Sequence, residues 1–267
     1  MAKNRFNEAE IYGSLSSLKR VVFRMIGTLH FGAFVRGVYL KKSLKGLNSK
    51  GNIQKIIDIG CGNGAYDFYI KGRYNDSVID AIDIDNELIS KNKAMSRRLG
   101  LAVNFIRQDI TRFNAHKRYD LAISMDSLEH IKMVDIAVHK IYNCLKDNGK
   151  AIIHLPQKDW EEVSFFDKNS FRDFNSFEKK EHISAKYSLE EFVIMLKREG
   201  FTIIKAKKSF GYVGKLAWEI NQLFQERKCY RTRLVILPFL KMIGLIDYYM
   251  PNLKGSGIFV IAERARK

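Results

Sequence analysis

The chain of 267 residues is long enough for one large domain or a domain with appendages, and 46% hydrophobic with 28% charged residues is ordinary globular composition. The net charge of +17 is unusual and uneven: residues 1–52 carry +8, residues 202–267 carry +9, and residues 53–201 are neutral. Cys61, Cys144 and Cys229 have no metal-ligand spacing, which argues against a zinc module or a disulfide framework and fits a reducing cytosol.

The opening, MAKNRFNEAEIYGS, has no apolar signal-peptide core, so a cytoplasmic protein is expected. Residues 14–45 follow as an amphipathic helical pattern, with Leu15, Leu18, Val22, Met25 and Leu29 on one stripe. From residue 53, short apolar runs alternate with helical stretches, as in a parallel sheet covered by helices. Strands are expected at Lys55–Ile59, Val78–Asp83, Ala102–Arg107, Leu121–Met125 and Ala151–Leu155, with helices at about 64–71, 86–99 and 132–146 and a helix stop at Gly149. Residues 157–187 form a long charged connection bearing Trp160, Phe165, Phe166, Phe171, Phe174 and Phe177, a length typical of a lid. Ser188-Leu-Glu-Glu opens a capped helix that stops at Gly200. A sixth strand spans Phe201–Lys205 and a seventh Gly257–Ala262. Between them, the apolar run at 234–250 is too short for a membrane span and is broken by Pro238, Lys241 and Asp247.

Asp58-Ile59-Gly60-Cys61-Gly62-Asn63-Gly64 follows the first strand and precedes a helix. Glycines let the backbone turn sharply and let a ligand approach, and the helix N-terminus offers unpaired N–H groups. Gly60, Gly62 and Ala65 also satisfy the dinucleotide fingerprint, with Asp83 about 20 residues downstream, so a dehydrogenase competes. Three features decide against it. Asp58 puts a carboxylate where an ammonium group, but not a pyrophosphate, would be welcome. Gln108-Asp109-Ile110 ends the third strand, where an adenine edge could be met. Ser124-Met125-Asp126-Ser127-Leu128-Glu129-His130 ends the fourth.

The set DIGCGNG, AIDID, RQDI, YDLAISMDSLEHI and LKDNGKAIIHLP resembles class I S-adenosylmethionine-dependent methyltransferases, in the broad group with ubiquinone-biosynthesis and sugar O-methyltransferases. The usual Pro-Gly-Gly of that family is Asp147-Asn148-Gly149 here, a departure confined to a turn. The resemblance implies an α/β fold: a seven-stranded, mostly parallel, doubly wound Rossmann-like sheet with an antiparallel last strand, a helical N-terminal flank and a helical insertion before the last strand. The regions are then a basic flank (1–52), the cofactor-binding core (53–207), a helical insertion or lid (208–256), and the final strand and tail (257–267). The resemblance further implies that Asp58, Gly60, Cys61, Gly62, Asn63 and Gly64 hold the methionine part of S-adenosylmethionine. Asp83 with Ile84 meets the ribose, Asp109 with Ile110 borders the adenine, and Met125 completes the set. No metal is implied. Cys61 reads as a small filler whose backbone N–H matters more than its sulfur.

Methyl transfer to a hydroxyl needs alignment and usually a base. His130 at the carboxyl edge and His182 in the lid are the candidate bases, with Asp126 orienting the acceptor. His154, inside an apolar strand, reads as a satisfied core residue. A Pro-Pro-aromatic motif for base methylation is absent after the fourth strand, so nucleic acid is disfavoured. Basic flanks interleaved with aromatic residues suggest an anionic surface, with attachment to the inner membrane face, and a small-molecule, glycan or lipid-linked acceptor. Two alternatives stand beside O-methylation: an RNA methyltransferase, and a non-catalytic cofactor-binding scaffold.

Overall fold

The computed structural model describes residues 30–48, 53–158, 165–166 and 187–266. Residues 14–29 of the expected N-terminal helix, and most of the expected lid including Trp160 and His182, lie outside them. Seven strands form one sheet in the order β3-β2-β1-β4-β5-β7-β6. They are β1 (Lys55–Ile59), β2 (Val78–Asp83), β3 (Asn104–Arg107), β4 (Tyr119–Met125), β5 (Leu145–Pro156), β6 (Phe201–Ser209) and β7 (Gly257–Arg264). β7 runs antiparallel between β5 and β6, and the other six are parallel. The helices are α1 (Phe31–Asn48), α2 (Ala65–Arg73), α3 (Asn86–Leu99), α4 (Val134–Cys144), α5 (Leu189–Glu199), α6 (Tyr212–Glu226) and α7 (Tyr230–Tyr249).

Period-two alternation sends successive strand residues to opposite layers. Ile56, Ile79, Leu121, Ile152 and Phe259 enter one core, shared with Phe31, Tyr39 and Leu237 of the helical flanks. Ile57, Ile82, Ala122, Ile153 and Val260 enter the other, with Val138 of α4 and Phe192 of α5. With both faces covered, the inner strands read as nearly unbroken apolar runs. The α5 capping box forms as its sequence requires: Glu191 N–H donates to Ser188 Oγ at 3.1 Å and Ser188 N–H to Glu191 Oε2 at 2.8 Å.

Gly149 does not stop a helix. α4 ends at Cys144, and the chain enters β5 directly through an irregular start. There Asn148 takes a left-handed φ of 62°, and a Cβ on Gly149 would lie 2.7 Å from the Lys146 carbonyl oxygen. The insertion before β7 is a pair of helices. Asp247 of α7 is fully buried and accepts from Gly214 N–H at 3.1 Å at the start of α6, where N–H groups lack intrahelical partners. α1 buries Phe31, Val35, Tyr39, Leu40 and Leu44, so its apolar residues are spent on packing.

Candidate active site

β1 has β2 on one side and β4 on the other, so the carboxyl ends of these strands flank a crevice at the topological switch point. The glycine loop lies there. Gly60, Gly62 and Gly64 all take left-handed φ values, of 72°, 51° and 70°. A Cβ on Gly60 would lie 2.2 Å from Ser127 Cβ, whereas one on Gly62 would project into open space. Asp83 ends β2 and accepts from Gly62 N–H and Asp85 N–H, both at 2.9 Å. Asn92 of α3 donates to the Gly62 carbonyl at 2.8 Å, so Gly62 is held at both its N–H and its carbonyl. Asp83 thus shapes the glycine loop from the end of β2. Ile84, beside it, is 69% exposed and offers an open apolar surface.

Asp58 is buried beneath the loop, and the carboxyl of Asp67 from α2 lies beside it. Apart from the Asp58 carboxyl, neither Asp67 oxygen has a side-chain hydrogen-bond partner among the described residues. Burial pushes Asp58 up to about 7, with the charge of Asp83 adding to the rise, and burial raises Asp67 well above the carboxylate range. Two desolvated acids behind an open glycine loop form a cradle suited to a cation. The ammonium of an amino-acid ligand would fill it, so the residues fit S-adenosylmethionine. Asp109 accepts from both the N–H and the hydroxyl of Thr111 at 2.8 Å, capping a short 3₁₀ turn that buries Ile110. Cys61 and Met125 are buried, and burial raises the Cys61 thiol, in keeping with a filler. Asn63 turns its Oδ1 towards Ala65 N–H at 3.2 Å, inside the loop.

The turn after β4 brings a second group of polar side chains to the same end of the sheet. Asp126 takes a left-handed φ of 52°, which aims its carboxylate at two partners. Arg36 of α1 pairs with Oδ2 at 2.7 Å, and His154 Nδ1 bonds Oδ1. The other His154 nitrogen meets Ser209 Oγ at 2.8 Å at the end of β6. Burial alone would raise the Asp126 carboxyl, but Arg36 and His154 outweigh it and hold it at about 2. Asp126 is therefore an ionised, weakly basic anchor, about a fifth exposed. His154 is buried, as its strand context suggests, yet it is the link between β4, β5 and β6. His130 lies in the turn Leu128–His130 with its side chain 41% exposed and Nε2 3.8 Å from Glu129 Oε1. Of the three candidate catalytic residues, Asp126 and His130 are thus on one short turn, while His182 lies outside the described residues.

Three contributors escaped sequence reasoning. Arg36 sits in a flank that looked like a generic basic surface. Asp67 lies in the first turn of α2, and the sequence reading gave it no role. Ser127 donates to the Ile59 carbonyl at 2.7 Å and stitches the β4 turn under Gly60. Only Ser127, lying within a quoted motif, carried a signal that could have found it. No cluster of three His, Cys, Asp or Glu able to hold a metal occurs among the described residues.

A methyltransferase-domain family model matches residues 33–206. Phosphoethanolamine N-methyltransferase 1 of Zea mays is 26% identical over 77% of this chain and 45% of its own length. A ubiquinone biosynthesis O-methyltransferase of Rickettsia prowazekii is 27% identical over 48% of this chain and 50% of its own length. The chain spans half or less of the length of these curated relatives. A solved structure of Haemonchus contortus phosphoethanolamine N-methyltransferase 2, in complex with phosphomonomethylethanolamine and S-adenosylhomocysteine, has a TM-score of 0.60. It is 16% identical, covering 94% of this chain and 61% of that one. An S-adenosylmethionine-dependent methyltransferase of Mesorhizobium loti has a TM-score of 0.57 at 14% identity, covering 86% and 100%. Identities this low bear on the fold alone. With the family model spanning well over half of the residues, the chain belongs to the methyltransferase-domain family, on the class I fold that takes S-adenosylmethionine.

Proposed function

We propose that the chain transfers the methyl group of S-adenosylmethionine to a hydroxyl of a small-molecule acceptor, with a glycan or a lipid-linked alcohol as the favoured class. The observation that carries this reading is the chain of contacts Arg36–Asp126–His154, placed one residue from Ser127, which meets the glycine loop. S-adenosylmethionine supplies an electrophilic methyl on a sulfonium. Asp126, ionised and locked by two partners, is too weak a base to take a proton near neutral pH, but suits orientation of an acceptor hydroxyl or charge. His130, exposed on the same turn, is the group that would accept the hydroxyl proton as the new bond to carbon forms and the bond to sulfur breaks.

The resemblance to phosphoethanolamine N-methyltransferases, over 77% of this chain for the Zea mays protein, supports a second reading in which the acceptor is a small amine. Transfer of labelled methyl into extract fractions, alongside phosphoethanolamine and a quinol precursor as defined acceptors, separates the readings. Label entering glycan or lipid hydroxyls supports the first and methylated phosphoethanolamine the second. Label entering RNA refutes both. Tight binding of S-adenosylmethionine with no turnover on any fraction would leave a binding protein.

A further inference from the structure

α7 is held by one face and bare on the other. Leu237, Leu240, Gly244 and Asp247 are buried towards α1 and α6. On the opposite side, Val235, Phe239, Met242, Ile246 and Tyr249 are 68%, 64%, 57%, 51% and 68% exposed, and Leu253 just beyond the helix is 85% exposed. Their spacing of three and four places them on one stripe about 21 Å long over the helix. Single exposed apolar residues need no explanation, but a continuous stripe along one helix does.

The chemistry around the stripe is one-sided. From Tyr230 to Lys254 the sole acid is Asp247, which is fully buried. Exposed Arg231 and Lys254 mark the two ends. From α1, Lys42 donates to Tyr249 OH at 2.7 Å, and from β6 the Lys205 ammonium lies 5.4 Å from the centre of the Tyr248 ring. A second copy docked stripe to stripe would bring cationic borders together. RNA would satisfy the cations but has no use for exposed phenylalanine, methionine and isoleucine. An anionic bilayer takes both, admitting a convex apolar helix face while long lysines reach its headgroups.

We propose that the outer face of α7 is a membrane-docking surface for anionic phospholipid, with Phe239, Ile246 and Leu253 inserted and Lys42, Lys205, Arg231 and Lys254 on the headgroups. α1 carries Lys42 at this border and Arg36 in the site, six residues apart, so docking places the acceptor side of the crevice near the headgroup layer. The surface does not depend on which acceptor is methylated.

Flotation of the full chain with phosphatidylcholine vesicles, with and without phosphatidylglycerol, tests the proposal. Binding is expected only with the anionic lipid. Phe239→Ser/Ile246→Ser should lower the partition coefficient on the order of 100-fold, from two large side chains no longer entering the lipid. Arg231→Glu/Lys254→Glu should lower it at least about fivefold per residue. All four residues are exposed, so unchanged thermal melting and unchanged S-adenosylmethionine binding verify that the variants are folded. The proposal is overturned if the native chain ignores anionic vesicles at low salt. It is equally overturned if the serine variant floats like the native chain, if the native chain is a dimer that this variant converts to monomer, or if RNA binds in place of vesicles.

Discussion

The buried acids under the glycine loop make cofactor binding a proton-linked event. Asp58 sits at about 7 before anything binds, chiefly through burial. If its carboxylate receives the cofactor's ammonium, protons compete with the ligand, and affinity should weaken roughly tenfold for each pH unit below about 7. Near pH 7 the group is half protonated, so binding should release about half a proton. Isothermal titration in two buffers of different ionisation heat counts that proton directly. The stability of the ligand-free protein should run the other way. A carboxyl whose folded pKa is raised favours the protonated fold, so its contribution is full below about 4, the unfolded value, and is lost as pH rises to about 7. Asp58→Asn should abolish the pH dependence of binding and weaken it by about 1.5–3 kcal/mol, the worth of a hydrogen bond to a charged group. Asp67→Asn keeps the shape and a donor beside Asp58, so affinity at about pH 8 should change little. Binding that is indifferent to pH between about 6 and 8, or that survives unchanged in Asp58→Asn, would refute the cradle.

Gly60→Ala should destabilise the fold by more than about 2 kcal/mol, from a left-handed φ and a Cβ driven into Ser127, whereas Gly62→Ala should cost only the left-handed φ, about 1–2 kcal/mol, and weaken S-adenosylmethionine binding; thermal melts with and without ligand separate the two. Asp126→Asn should lower stability by roughly 1–3 kcal/mol near neutral pH. The native carboxylate's contribution should persist above about pH 4 and fade as pH drops towards 2, the folded value, which acid unfolding of both proteins measures. Arg36→Met should leave the cofactor Kd within about threefold while turnover at saturating cofactor falls about tenfold or more, read as a kcat against KM split. His130→Ala should lower turnover on the order of 100-fold on a hydroxyl acceptor with cofactor affinity retained, and a near-native rate would remove it as the base.

The sheet was legible because its signals are local. The runs at Lys55–Ile59 and Val78–Asp83 form strands over those same residues, since a strand covered on both sides must be apolar at consecutive positions. Ser188 and Gly200 bound α5 as capping chemistry requires. The turning of the glycine loop was legible for a related reason: the need for left-handed backbone at Gly60, Gly62 and Gly64 is written in residue type. Gly149 misled because glycine after a helical pattern has two uses, and here the strand start claimed it. Arg36, Asp67 and His154 were not legible as a set. Each owes its role to a neighbour far away in sequence, and nothing local in the α1 sequence distinguishes a lysine on the rim, such as Lys42, from an arginine that enters the site.

That non-local part is what joins the two halves of the crevice. Asp126 and Ser127 are consecutive, yet they serve different neighbours. Ser127 bonds the Ile59 carbonyl and fills the space a Gly60 side chain would need, so it sets the height of the glycine loop. Asp126 turns the opposite way, at a φ that L residues rarely adopt, to reach α1 through Arg36 and β5 through His154. The glycine loop and the proposed acceptor side are therefore tied to each other through adjacent residues. In-line displacement depends on alignment to within fractions of an ångström, and a short rigid connection preserves it better than two independently held loops. The strain of order 1 kcal/mol or more at Asp126 is offset by the Arg36 ion pair and the His154 hydrogen bond. The same logic gives α1 a part in the site: it is the helix that carries the arginine holding the turn in place.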